Sequence, residues 1–230
     1  MISLASAATK GIGVYSIPEA ARYAKIHPNT LRYWFAGAGT HPPIRGAEIK
    51  SEEFKALTFL DLIEAVAIRS LRVDYDVPLQ RIREAVKNAK SRYGIDYPFA
   101  HQSHKTVLIG RDLHIFLPRE NSPVQITGRA VGQQSFKPCI ERYMADLDFD
   151  ANGMAYIYRA YQFKNQEIIL NPKIQFGEPI VKENGYTAET LYRAAIAEGS
   201  IDRAAHLYDV SEDAVDAAYR YWSNELGLAA

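Results

Sequence analysis

Residues 15–35 read YSIPEAARYAKIHPNTLRYWF, and the rest of the chain is best understood outward from them. Ser16 has the chemistry of a helix N-cap, Pro18 is tolerated in a first turn, and Glu19 suits the positive end of a helix dipole. Ala20 and Ala21 are small, which lets a second helix cross closely. After Ile26 only a short turn fits before Pro28 restarts a helix whose Leu31 and Trp34 or Phe35 point inward. His27, Asn29, Thr30, Arg32 and Tyr33 are then left at the open N-terminal side of that second helix. The pattern predicts a helix-turn-helix with its second helix in a DNA major groove. Asn can read adenine bidentately, Arg can read guanine, and Thr or Tyr can meet phosphate or a thymine methyl. The competing reading is a helical hairpin in an ordinary core, with Asn29 and Arg32 merely solvated.

Working outward, Ala36–Ala56 is rich in Gly, Pro and charge and reads as a loop or β-wing, with Arg45 a candidate DNA contact. Thr58 with Asp61 three residues later resembles a capping box, and residues 58–73 place Phe59, Leu62, Ile63, Val66 and Val73 near one apolar stripe. Pro78 opens a further helix to about Tyr93, with Leu79, Ile82, Val86 and Ala89 inward and Arg81, Arg83, Lys87 and Lys90 largely outward. From Lys105 the period shortens. Thr106–Ile109 and Leu113–Leu117 predict a β-hairpin, Lys137–Leu147 a helix, and Met154–Tyr161 and Glu167–Leu170 strands. Gly177 and Pro179 mark irregular structure. Thr187–Glu198, Ile201–Tyr208 and Glu212–Leu226 read as helices, the last two capped by Ser200 and Ser211.

The formal charge is zero, with 27 Lys and Arg against 27 Asp and Glu. That balance hides an asymmetry: residues 1–105 carry 15 basic against 10 acidic side chains, and residues 171–230 carry 5 against 10. A basic front suits phosphate, whereas an acidic back suits something else. One cysteine excludes an intrachain disulfide framework and fits a reducing cytoplasm. No signal-peptide pattern and no membrane-length apolar run is present, so a cytoplasmic protein is expected.

Several constellations carry no chemistry. Asp148-Phe-Asp150-Ala-Asn152-Gly153 matches the opening of an EF-hand loop, but Arg159 stands where a bidentate Glu is needed. It reads instead as a β-turn before a strand. His101 and His104 lack zinc-spaced partners, and Cys139 reads as packing. No nucleotide or nucleophile motif appears, so neither a cofactor nor catalysis is expected. Tyr192, Tyr208, Tyr219, Tyr221 and Trp222 enrich the C-terminus in aromatics. Some of these are expected in the core, and Tyr208, Tyr219 and Trp222 are candidates for a protein interface. Ile201–Trp222 also scans as a helix-turn-helix, but its Asp and Glu would repel phosphate.

IPEAARYAKIHPNTLRYWF, then LTFLDLIEAVAIRSLR and VPLQRIREAVKNA, resembles a MerR-like winged helix-turn-helix. The match is closer to the DNA-binding domain of large VapB-type antitoxins, where a segment like Phe59–Glu64 follows the wing. Residues 168–222, with Asn171-Pro172-Lys173-Ile174, Gly177-x-Pro179-Ile180 and Val210-Ser211, look like the small three-helix domain that many such antitoxins carry. The likeness spans most of the chain. It departs at the wing, where His41-Pro42-Pro43-Ile44-Arg45 is sparse in Arg, and at Asn184-Gly185-Tyr186-Thr187. The resemblance implies an antitoxin that represses its own operon by binding double-stranded operator DNA and neutralises a PIN-like ribonuclease toxin, and toxin contact is expected here from a folded surface. The expected fold is α+β and mostly helical: a winged helix-turn-helix at 1–104, a β-rich middle at 105–170 and a three-helix domain at 171–230. A homodimer is expected, because two-fold operators match two-fold proteins. The alternatives are a MerR-like ligand-responsive regulator, with an aromatic pocket in 106–170, and a pure interaction scaffold.

Overall fold

Ser16 caps the first helix in the computed structural model. Its hydroxyl accepts from the Glu19 amide while the Glu19 carboxylate accepts from the Ser16 amide at 2.7 Å, a reciprocal box that satisfies two otherwise orphaned donors. The structure describes residues 13–40, 42–46, 49–50, 55–109, 112–116, 124–126, 136–138 and 141–225. His41, Cys139 and Leu226, named above, lie outside them, as does the tip of the hairpin predicted around Gly110.

The fold is α+β. A three-stranded sheet in the order β1 (Val14–Tyr15), β3 (Lys55–Thr58), β2 (Ile49–Lys50) packs beside α1 (Ile17–Tyr23), which is followed by α2 (Pro28–Ala36). The interval read as loop or wing thus contains β2 and the start of β3. α3 (Phe59–Val73) begins with the predicted reciprocal cap between Thr58 and Asp61, and α4 (Leu79–Tyr93) follows Pro78. A four-stranded sheet takes the order β6 (Val124–Gln125), β5 (Asp112–Phe116), β4 (Lys105–Ile109), β7 (Phe136–Pro138). After α5 (Glu141–Met144), a second four-stranded sheet takes the order β11 (Pro179–Val181), β10 (Gln166–Leu170), β9 (Ala155–Phe163), β8 (Leu147–Phe149). All described pairings are antiparallel. Helices α6 (Ala188–Glu198), α7 (Ile201–Tyr208) and α8 (Glu212–Arg220) complete the chain, and α8 continues into a π-helical turn at Tyr221–Glu225.

Three readings are corrected. Val73 is 66% exposed, because it lies two residues, about 200° of helix rotation, from the fully buried Leu71. The helix expected at Lys137–Leu147 is only Glu141–Met144: Lys137 pairs with Leu108 in a sheet, and Leu147 opens β8. Pro179 is not irregular but begins β11, pairing with Leu170.

One apolar cluster runs from Tyr15 through Leu31, Leu62, Ile68 and Ile82 to Ile168, Leu191 and Tyr221. Each such side chain contributes roughly 1.5–3 kcal/mol when fully buried. Ile168, Ile169 and Leu170 are all buried in succession because β10 is an internal strand, its register shifts between Ile168 and Ile169, and α8 packs on it. Among the described residues no helix is long and apolar enough to cross a membrane.

Candidate nucleic-acid interface

The helical pair is built by opposite faces of two short segments. Ala20, Ala21 and Ala24 are buried on α1, and Leu31, Trp34 and Phe35 on α2, as their spacing predicts. Between them Lys25 takes a left-handed φ of 56°, and its carbonyl accepts from Arg69 Nε at 3.2 Å, tying the turn to α3. With the apolar face committed inward, His27, Asn29, Thr30 and Arg32 are exposed. His27 is the N-cap of α2, its Nδ1 accepting from the Asn29 amide at 3.2 Å. Arg32 donates to Asn29 Oδ1 at 3.4 Å, so the two candidate base-reading side chains stand together on one flank.

Tyr33 and Arg45 behave differently from these four. Tyr33 is half-buried against the core, and its hydroxyl accepts from Arg83 at 3.4 Å while the Arg83 guanidinium lies 5.9 Å from its ring centre. Arg45 is turned inward, its side chain only 12% exposed. Its Nε lies 3.2 Å from Asp61 Oδ1 and its Nη1 4.0 Å from Glu64 Oε2. It also donates to the Asp96 carbonyl at 2.9 Å and stacks 4.0 Å over the Tyr97 ring. A guanidinium so engaged holds the segment after α2 against α3.

One cation thus faces two fully buried carboxylates. Burial pushes the Glu64 carboxyl up to about 8, against the pull of Arg45 and of the Phe99 amide that donates to it at 2.8 Å. Burial thus favours the protonated form of Glu64, while Arg45 lies nearer to Asp61. Tyr143, which donates to the Ile63 carbonyl, is raised well above the usual tyrosine range by the same burial.

The sequence reading placed Arg81, Arg83, Lys87 and Lys90 on the outer side of α4 without assigning them a role. Arg83, Lys87 and Lys90, spaced i, i+4 and i+7, line one wall of a groove of about 800 Å³ whose other wall is Pro42–Gly46. The Tyr33–Arg83 contact ties this row to α2, the helix that carries Asn29 and Arg32. The signal was available as a helical repeat of cations, but the side chain that connects it to α2 was not. Lys90 is paired with Asp96 at 2.7 Å; Lys87 is exposed.

The remaining candidates fall elsewhere. Tyr208 is half-buried edge-on to Tyr186 at 5.2 Å, Tyr219 packs 5.5 Å from Tyr192, and Trp222 lies 6.3 Å from Tyr192 with Arg22 of α1 5.6 Å from its ring. Tyr221 is fully buried. His101 bonds the Asn152 carbonyl at 2.9 Å and stacks on His104, whose ring burial lowers to about 4. The pair clips two loops together. Asp150 Oδ1 accepts from the Asn152 and Met154 amides, which makes the EF-hand-like segment a turn. Among the described residues no three His, Cys, Asp or Glu side chains are grouped to hold a metal. A cavity of about 540 Å³ is lined by Tyr143, Tyr158 and Arg159 of the middle region and by Lys25, Arg69, Asp74 and Tyr75 from the helices before it, so the middle region forms only part of it.

No known family model matches the chain. In fold it is similar to the crystal structure of Rv2018 from Mycobacterium tuberculosis, with a TM-score of 0.63 at 21% identity over 89% of this chain and 96% of that one. In sequence it is 25% identical over 220 residues, 88% of this chain and 90% of the relative, to a Mycobacterium tuberculosis protein named "Putative antitoxin VapB45".

Proposed function

We propose that the chain is a VapB-type antitoxin that binds the DNA of its own operon and neutralises a PIN-like ribonuclease. The DNA half of the reading is carried by one observation: Asn29, Thr30 and Arg32 stand exposed on α2, whose Tyr33 contacts Arg83 of the basic row on α4. In this reading the winged helix-turn-helix occupies residues 1–104. The α2 flank with His27 enters the major groove, and Arg83 and Lys87 meet the flanking phosphates. Arg45, held by Asp61, takes no part. A homodimer presents two such flanks to a two-fold operator. The toxin half is supported by the relative's name and by the family resemblance, with residues 171–230 as the interaction domain behind a β-rich middle.

Gel shifts with DNA from upstream of the operon test the first half. Arg32→Ala should cost about 1–3 kcal/mol if Arg32 reads a base, and the loss should be confined to the specific site. An equal loss on random duplex would reduce Arg32 to a phosphate contact. Co-purification with the product of the adjoining gene tests the second half. A scaffold with no DNA role would shift no duplex at any salt concentration.

A further inference from the structure

On the exposed flank of α2 the nitrogen and oxygen acceptors of His27 and Asn29 are already spent. His27 Nδ1 accepts from the Asn29 amide at 3.2 Å, and because a backbone N–H only donates, a neutral His27 ring carries its hydrogen on Nε2. Asn29 Oδ1 accepts from Arg32 Nη1 at 3.4 Å. A guanidinium has no acceptor, so it is the amide oxygen that must face it, and Asn29 is left with its NH2 group. The three-residue spacing keeps both side chains on one face of the helix. Asn29 and Arg32 are exposed, and neither bonds any other side chain among the described residues. What the flank holds for a ligand is the amide NH2 of Asn29, the remaining N–H groups of Arg32 and the Nε2–H of His27. These are donors throughout, and only the exposed Thr30 hydroxyl also accepts.

The base edges in a DNA major groove differ in what they return to such donors. Guanine offers two acceptors, N7 and O6, whereas adenine offers N7 and an amino donor, and cytosine only an amino donor. A lone Asn reads adenine because its oxygen takes the amino group while its NH2 meets N7. Asn29 departs from that pattern. An adenine amino group approaching the second lone pair of Oδ1 meets the hydrogens of a full positive charge beside it. Thymine O4 accepts, but it is one acceptor beside a methyl group and leaves a forked guanidinium half engaged. Two guanines in succession on one strand present four acceptors in a row, which matches both side chains at once.

We infer that Asn29 and Arg32 act as one donor-only unit that reads two adjacent guanines on one strand of the operator. The inference rests on the DNA half of the proposed function, and it replaces the adenine contact expected of Asn29. The test selects sites with the full chain from a pool of randomised duplexes, then measures affinities for the selected site and its single base-pair variants. Selected half-sites should carry the guanine pair, and exchanging either guanine for adenine should weaken wild-type binding about 10-fold or more. Arg32→Ala releases the Asn29 oxygen, so at one of the two positions this variant should bind adenine at least as well as guanine. Asn29→Ala should keep the preference for guanine at the other position. Both side chains are exposed, so each variant should melt at the wild-type temperature. Selected sites without adjacent guanines, or a guanine preference that Arg32→Ala leaves untouched at both positions, would overturn the inference and leave DNA binding standing. A wild type that retains no duplex from the pool would overturn both.

Discussion

Arg45→Ala is expected to lower the unfolding free energy by about 3–5 kcal/mol, the cost typical of removing one partner from a buried ion pair. Asp61 and Glu64 are fully buried on α3, and Arg45 is the guanidinium beside both. Its loss removes the cation 3.2 Å from the buried Asp61 carboxylate, and with it the stacking on Tyr97. Urea denaturation of the full chain measures the effect. Arg45→Lys should recover only part of it, since a single ammonium cannot reach Asp61 and the Asp96 carbonyl while lying flat on the tyrosine. A loss below about 1 kcal/mol would mean that the site admits water, and that the network is a surface pair in energetic terms.

The same network sets a pH dependence. Glu64 titrates near 8 in the folded chain and near 4.5 when unfolded, so between those values the folded state holds a proton that the unfolded state has released. Stability from this group is therefore full below about pH 4.5 and declines as pH rises towards 8, with a slope of at most about 1.4 kcal/mol per unit for one proton. Glu64→Gln keeps the shape and abolishes the titration. The variant should gain on the wild type progressively across that window. A stability difference that does not change with pH would show that Glu64 is ionised throughout.

Gly177→Ala should cost roughly 2–5 kcal/mol, from a left-handed φ that penalises a side chain and from overpacking against a rigid neighbour. A Cβ at Gly177 would stand 2.2 Å from the Tyr15 hydroxyl and 3.0 Å from its ring, and Tyr15, itself in β1, is buried with its hydroxyl also close to Gly13. Gly199→Ala is the control: its φ of 68° is also left-handed, but nothing lies within 4 Å of the new methyl, so only the backbone penalty remains. Adding Tyr15→Phe to Gly177→Ala removes the atom that collides. The double variant should then be more stable than the sum of the single losses predicts. Strict additivity would show that the loop moves away from Tyr15 instead of pressing on it.

How far these features could be read from the residues follows from the range of the forces that make them. The caps at Ser16 and Thr58 are satisfied within four residues, so Glu19 and Asp61 announced them. The apolar faces of α1 and α2 were likewise local, and with them the exposure of Asn29, Thr30 and Arg32. Lys137 was misread because its strand pairs with β4, far back in the chain, and because Pro138 fits there only as part of an edge strand. Arg45 looked like a free cation in a Gly- and Pro-rich stretch. The clue to its buried ion pair was elsewhere, in two carboxylates one helical turn apart within an otherwise apolar segment, which demand a cation once that segment is buried. The α4 row was visible as a repeat, yet nothing local showed that Tyr33 joins Arg83 to the α2 flank. The left-handed turn at Gln175 and Phe176 was signalled only by the irregular structure expected at Gly177, since neither residue itself favours that conformation.

The most direct measurement is a salt titration of binding to the operon's upstream DNA, comparing wild type with Arg83→Ala and Lys87→Ala. If the α2 flank and the α4 row form one DNA face, log affinity falls steeply and linearly with log salt, and each substitution makes that slope shallower by about one. Arg32→Ala should instead lower affinity for the specific site and leave binding to random duplex intact. A wild type that binds duplex without salt dependence, or slopes that neither α4 substitution alters, would contradict it.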